Sequence, residues 1–183
     1  GIGEPFDNYE GLSKFISLIN SKQGYNLGMR NITVSTCGLV PMIEQFGKDF
    51  PQVNLAVSLH APNDDIRRRT MPIARRYAYE DLIAACRTYT ESTKRRITFE
   101  YALIDGVNDQ REHALELARH LKGWLTHVNL IPLNEVDGTS YRTSNRETVR
   151  SFAWTLEEHS IAVSVRRTLG TDIDAACGQL RLR

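Results

Sequence analysis

The sequence predicts an α/β domain built on parallel strands. Three observations carry this reading. Five apolar, β-branched runs of strand length recur along the chain. Segments with helical period lie between them. The two kinds of segment alternate from one end to the other, at intervals suited to βαβ crossovers. Two architectures satisfy that pattern: an open doubly wound sheet, or a full or partial barrel. No GxGxxG follows a strand, which weighs against a dinucleotide-binding version.

Taken in order, Gly3-Glu4-Pro5 reads as the end of a first, truncated strand. Leu12, Phe15, Ile16 and Ile19 then form one face of a helix. The run 32–37 (ITVSTC) is the next strand and closes on Ser35-Thr36-Cys37-Gly38. The run 55–61 (LAVSLHA) follows and closes on Ser58-Leu59-His60. A helix is marked by Leu82, Ile83, Ala85 and Cys86, with Tyr79 and Tyr89 nearby. The run 97–104 (ITFEYALI) passes through Glu100 and ends near Asp105-Gly106. Leu115, Leu117, Ala118 and Leu121 mark the following helix, and the run 127–134 (HVNLIPLN) ends in Pro132-Leu133-Asn134. The last helix, predicted over 145–159, turns Val149, Phe152, Ala153 and Leu156 inward. Ser144 with Glu147 three residues later predicts a capping box at its start. The run 162–167 (AVSVRR) is the final strand.

At 183 residues the chain is long enough for one domain with a sizeable core, and 1–183 is read as a single unit. With 41% hydrophobic and 25% charged residues, its composition is that of a globular protein. The net charge of +1 gives no overall basic field, so any nucleic acid must be held by local patches. No apolar run approaches the roughly 18 residues of a membrane span. The three cysteines, Cys37, Cys86 and Cys177, are too few and too far apart for a disulfide framework or a clustered metal site. A reducing, cytoplasmic setting is the natural expectation.

In both architectures ligands collect at the C-terminal ends of the strands, and polar residues gather there in strand after strand. Glu4 can bind an ammonium group or a metal, or simply belong to a Gly-Pro turn. Ser35 and Ser58 can hydrogen-bond a ligand, or serve as turn residues. His60 suits a ligand, base or stacking role, or a structural one. Asn134 donates and accepts, which suits a ribose or an adenine edge. Basic clusters stand at 67–69, 75–76, 94–96 and 166–167. They are ordinary solvated faces unless several converge on the strand-end rim, where they would hold phosphates. Cys37 and Cys86 read as small buried hydrophobes. Cys177 differs: it sits among small residues in TDIDAACGQL, accessible enough to be a nucleophile or group carrier.

As an ordered set, GEP, ITVSTCG, LAVSLHAPND, TFEYALIDGVND, VNLIPLN and DIDAACGQL resemble the RlmN/Cfr family of radical S-adenosylmethionine RNA methyltransferases, with DIDAACGQL closer to the RlmN branch. The resemblance runs over essentially the whole chain. It implies a partial (β/α)6 TIM-like barrel, lacking its first strand here, that binds S-adenosylmethionine and a 4Fe-4S cluster. It implies that Gly3 and Glu4 contact the methionine amino group, and that Ser35, Ser58, Leu59, His60 and Asn134 complete the S-adenosylmethionine pocket. Cys177 matches the family's methyl-carrying cysteine. The implied reaction places a methyl group on C2 of an adenosine in 23S rRNA, and in tRNA, by way of S-methylcysteine and a 5′-deoxyadenosyl radical. A carrier thiol is needed because C2 of adenine is electrophilic and cannot attack a sulfonium methyl group. A second cysteine then releases the RNA by forming a disulfide with the first. The implied partners are the RNA and an electron donor such as flavodoxin, with no membrane and a monomer favoured.

The sequence departs from the family in several respects. CxxxCxxC is absent, so no metal ligand is assigned in this chain and the cluster ligands are expected upstream of Gly1. The resolving cysteine, the acid–base carboxylate and an RNA-binding region are expected there too, so the 183 residues alone should not perform the radical reaction. Cys37 stands where the family commonly has Ser. The alternatives are a non-catalytic fragment that binds S-adenosylmethionine or RNA, and a generic barrel enzyme using Glu4, His60 and Glu100. The segment around Cys177 is expected to be a flexible loop.

Overall fold

The computed structural model describes residues 3–133 and 140–166. Asn134, Cys177 and the loop expected around Cys177 therefore lie outside the described residues.

Five strands, β1 (Thr33–Thr36), β2 (Asn54–Ser58), β3 (Ile97–Leu103), β4 (Thr126–Pro132) and β5 (Ala162–Val165), pair in the order β1-β2-β3-β4-β5. Every pairing is parallel. Sequential order with no reversal leaves no switch point of the doubly wound kind. The sheet is instead a segment of barrel wall, as the sequence resemblance implied. The described residues around Gly3-Glu4-Pro5 form no strand. Instead, Pro5–Asn8 is a short 3-10 turn with Glu4 as its N-cap.

The helices are α1 (Tyr9–Asn20), α2 (Val40–Asp49), α3 (Asp64–Thr70), α4 (Tyr79–Thr93), α5 (Arg111–Leu121) and α6 (Arg146–Glu158). They share one core with one face of the sheet. Val34, Leu55, Val57, Phe99, Tyr101, Val128 and Leu130 from the strands are buried with Ile43, Phe46, Leu82, Tyr89, Leu117 and Phe152 from the helices. The sequence alone did not reveal α2 or α3. Pro41 starts α2 where its missing N–H costs nothing. Gly47 lets α2 approach α4 closely: a Cβ there would stand 3.1 Å from Cδ2 of Tyr89.

Two expectations about helices are corrected. Phe15 does not share the buried face of α1 with Ile16; it is 57% exposed while Ile16 is fully buried. At α6 the capping residue is Asn145, whose side chain accepts from the N–H of Thr148. Ser144 is occupied elsewhere, donating its hydroxyl to Oδ2 of buried Asp109 at 2.7 Å. A buried carboxylate needs that donor more than a solvated helix end does. Asp109 in turn accepts from the N–H of Gly106 (3.1 Å) and from Gln110 (2.8 Å), fixing the turn after β3.

Ser144→Ala should therefore cost about 1–3 kcal/mol by stripping a donor from a buried carboxylate, against about 1 kcal/mol for loss of the cap in Asn145→Ala. Urea unfolding of the two variants checks the order; equal or reversed losses would contradict the assignment.

Candidate active site at the strand ends

In a parallel sheet the ladder of backbone hydrogen bonds stops where the strands end, and the freed groups need other partners. Three polar side chains supply them here. Glu4 reaches the end of β1. Its Oε2 accepts from the N–H of Cys37 at 2.7 Å, and its Oε1 accepts from the Thr36 hydroxyl at 2.7 Å and from the N–H of Phe6 at 3.2 Å. Gly3, at φ +99°, holds the left-handed backbone that turns Glu4 toward the strand; open space lies where a Cβ would be, so the conformation rather than room calls for glycine.

The second tie is Arg67, from α3. It is fully buried, and its Nη2 donates to the carbonyl of Cys37 (2.7 Å) and more weakly to that of Ser58 (3.4 Å), bridging the ends of β1 and β2. Its Nε and Nη1 have no hydrogen-bond partner among the described residues. Gly38 leaves room for the guanidinium, with Nη2 at 3.1 Å from the position a Cβ would take.

Asn108 is the third tie, also fully buried. Its amide accepts from the N–H of Ile104 (2.7 Å) and donates to the carbonyls of Ala102 (2.7 Å) and His60 (2.9 Å), joining the ends of β2 and β3. Sequence reading assigned roles to neither Arg67 nor Asn108. A basic cluster and a turn-forming Asp-Gly-Val-Asn are their only traces there.

His60 sits at φ +55° at the mouth of β2, and its Nδ1 accepts from the N–H of Ala102 at 2.9 Å. That contact fixes the neutral tautomer with its proton on Nε2. Burial, helped by the Arg67 charge, lowers its pKa to about 4. Leu59 is fully buried with its side chain in the core, and its N–H donates to the carbonyl of Glu100 at 3.0 Å. Ser35 is exposed and Ser58 half-buried, and neither hydroxyl has a hydrogen-bond partner among the described residues.

These serines belong to the sheet face opposite the core. Register places Ser58, Glu100, Asn129 and Ser164 side by side across β2 to β5. They are wired in one direction. His127 Nε2 lies 2.8 Å from the Ser164 hydroxyl, which donates to Oδ1 of Asn129 at 3.0 Å, and Asn129 Nδ2 donates to Oε2 of Glu100 at 2.9 Å. Because the serine proton is committed to Asn129, the histidine Nε2 is the donor. Burial raises the Glu100 pKa, opposed by the Asn129 hydrogen bond and the Arg166 charge. Glu100 therefore lies on this inner face, and the network around it is a feature only the register reveals.

Two thiols, Cys37 at the end of β1 and Cys86 within α4, are held in the protonated form. Burial and the neighbouring carboxylate of Glu4 push Cys37 up to about 12, and full burial raises Cys86 further. Cys86 is the buried small hydrophobe the sequence suggested, whereas Cys37 is only half-buried against the core. Among the described residues no group of His, Cys, Asp or Glu can hold a metal ion. With Glu4 committed to Thr36, Cys37 and Phe6, this part of the chain does not fit a cluster. It does fit a polar, nucleoside-like molecule: free hydroxyls, a carboxamide and a half-buried carboxylate line an open polar face beneath the rim.

A strand-ordered parallel sheet with polar residues on one face and at the C-terminal rim has the architecture of a barrel-type domain, the class of fold whose ligands collect at that rim. The family model for the Radical SAM superfamily matches residues 1–118, and the chain belongs to that superfamily. Within it, the chain is 56% identical over 181 residues to the "Probable dual-specificity RNA methyltransferase RlmN" of Caldanaerobacter subterraneus, covering 99% of this chain and 53% of that protein. It is 52% identical to the Clostridium tetani protein of the same name, covering 100% of this chain and 52% of that one. The crystal structure of a radical SAM methyltransferase from Sphaerobacter thermophilus superposes with a TM-score of 0.95 at 52% identity, over 99% of this chain and 53% of that one. A domain of a pyruvate-formate lyase-activating enzyme from Bacteroides vulgatus, 15% identical with a TM-score of 0.68, shares the fold. The chain thus spans about half the length of the curated relatives it matches.

The low pKa of His60 makes a signed prediction. Its folded value, about 4, lies below the ordinary value of 6.5, so protonation favours the unfolded chain. Its contribution to stability is complete above pH 6.5 and is lost as pH falls toward 4. Wild type should lose stability more steeply than His60→Gln across that window. In Arg67→Met, NMR titration should find the His60 pKa moved part of the way back up; an unchanged or lower value would contradict the Arg67 contribution.

Proposed function

We propose that this chain is the catalytic C-terminal part of an enzyme that methylates C2 of adenosine in 23S rRNA and tRNA, with S-adenosylmethionine as cofactor and Cys177 as methyl carrier. The observation that carries the proposal is similarity to RNA methyltransferases of the RlmN name over 99% of this chain at 56% identity. The polar rim supports it through the chemistry of its donors and acceptors. Residues 1–183 then form the C-terminal part of the barrel domain together with the segment bearing Cys177.

S-adenosylmethionine, paired with a 4Fe-4S cluster whose ligands lie outside this chain, supplies both the methyl group and the radical chemistry. The chain's own residues bind and orient. The Glu4 carboxylate is committed to Thr36, Cys37 and Phe6, so Gly3 and Glu4 act at the methionine amino group through their backbone carbonyls. Ser35 and Ser58 offer hydroxyls, Leu59 its backbone, and His60 a proton on Nε2. Asn134 completes the set by its match to the family's VNLIPLN segment. Cys177 is assigned as the carrier because DIDAACGQL resembles the segment that bears the family's methyl-carrying cysteine. Reduction of the cluster calls for an electron donor of the flavodoxin kind, which places the reaction in the cytoplasm. No helix among the described residues is long and apolar enough to cross a membrane.

The test is chemical. Full-length protein reconstituted anaerobically with iron and sulfide, given S-adenosylmethionine, a reductant and 23S rRNA or tRNA, should yield 2-methyladenosine on digestion and mass spectrometry. Cys177→Ala should yield none while still binding S-adenosylmethionine. Absence of the product with wild-type protein overturns the reading and favours a fragment that binds without turnover.

A further inference from the structure

Of the four basic clusters in the sequence, two, 67–69 and 75–76, lie together on one segment at the strand-end rim. Between residues 64 and 76 the chain carries five arginines and two aspartates. This segment, α3 and the 3-10 turn Pro72–Arg75, follows β2 and so lies at the C-terminal end of the sheet. Arg67 turns inward to the strand ends, whereas Arg68, Arg69, Arg75 and Arg76 are exposed. Asp64 is largely neutralised by Arg68 at 3.2 Å and also accepts from the N–H of Tyr79 at 3.0 Å. Asp65 is then the one exposed acid on the segment. The Arg76 guanidinium lies over the Tyr77 ring, 5.2 Å from its centroid, which holds the charge in a fixed place. A second loop joins from β4. The Tyr141 hydroxyl donates to the carbonyl of Arg69 at 3.3 Å, and the N–H of Asp105 donates to the carbonyl of Arg142 at 3.0 Å, bringing exposed Arg142 to the same rim. Lys94, Arg96 and Lys122 stand at the opposite end, before β3 and β4.

We infer that Arg69, Arg75 and Arg76 form a phosphate-binding rim that holds the RNA backbone over the strand ends. The inference rests on the RNA-modifying reading above and adds which surface grips the substrate. The match is one of charge: a cluster of guanidiniums on the end of the sheet that carries Ser58 and His60 suits a polyanion with regularly spaced phosphates. Planar guanidiniums suit phosphate oxygens two at a time. Arg67, fully buried, ties this rim to the sheet end by its contacts with Cys37 and Ser58, so the grip and the site move as one piece.

The experiment uses full-length protein and an RNA hairpin carrying the target adenosine, with affinity measured by fluorescence anisotropy across a salt series. A variant combining Arg69→Gln, Arg75→Gln and Arg76→Gln should bind at least about tenfold more weakly, and its salt slope should fall by about two. The pair Arg96→Gln and Lys122→Gln, at the far end, should stay within about twofold of wild type, and melting temperatures of all three proteins should agree. Equal losses in the two variants, or none in the rim variant, overturn the inference. If wild type makes 2-methyladenosine but the rim variant binds RNA normally, the rim assignment alone fails; if wild type binds no RNA, both readings fail. A rim that loses binding to polyglutamate or to phosphatidylserine vesicles, but not to RNA, marks an acidic protein or a membrane as the occupant and also overturns it.

Discussion

The structure depends on one constraint: parallel strands must all stop at the same end, and the backbone groups freed there must still be hydrogen-bonded. Three side chains meet it. Glu4 closes β1, Arg67 spans β1 and β2, and Asn108 spans β2 and β3. A water-filled end would satisfy the same groups without ordering them. Using side chains instead orders the mouth of the barrel wall, and the residues at the strand ends inherit that order. His60 shows the result. It adopts a left-handed backbone conformation that a histidine reaches at some cost, held by Ala102 on one side and Asn108 on the other.

Arg67 is the most demanding of these ties. A guanidinium with no accessible surface, whose hydrogen bonds among the described residues go only to backbone carbonyls, loses its hydration with no directly bonded carboxylate. Carbonyls at the end of a parallel sheet carry partial negative charge and point together, which makes them the nearest substitute. The same charge pushes protons off His60. Placement of one buried cation thus shapes the rim and adds to the burial that lowers the pKa of His60.

The strands were legible because a sheet covered on one face writes its burial in alternation. In Ile97–Leu103 every second residue is core and every second one, Glu100 among them, faces the other way. The helices were legible where their apolar stripes are unbroken, as in α4. They were hidden where special residues interrupt the stripe: Pro41 and Gly47 in α2, and the arginines surrounding Ile66 in α3. Phe15 carries the period of a core residue but is 57% exposed, with no element among the described residues covering it. Ser144 and Asn145 are both good caps, and the choice between them turns on Asp109, thirty-odd positions away, which local reading does not see. The site divides the same way. Ser35, Ser58 and His60 could be picked out as the last polar residues of strands. The wiring from His127 to Glu100 depends on register between strands far apart in the chain.

That register has an evolutionary consequence. The row Ser58, Glu100, Asn129 and Ser164 exists only while four strands keep their exact relative lengths. Deleting one residue inside β3 would turn Glu100 toward Phe46 and Leu82 and bring Phe99 or Tyr101 onto the polar face, inverting every position beyond the deletion. Substitutions can be accepted one at a time along these strands, but changes of length cannot. Lineages of this protein should therefore record their insertions and deletions in the connections between elements, and the strands should keep a constant residue count while their sequences drift.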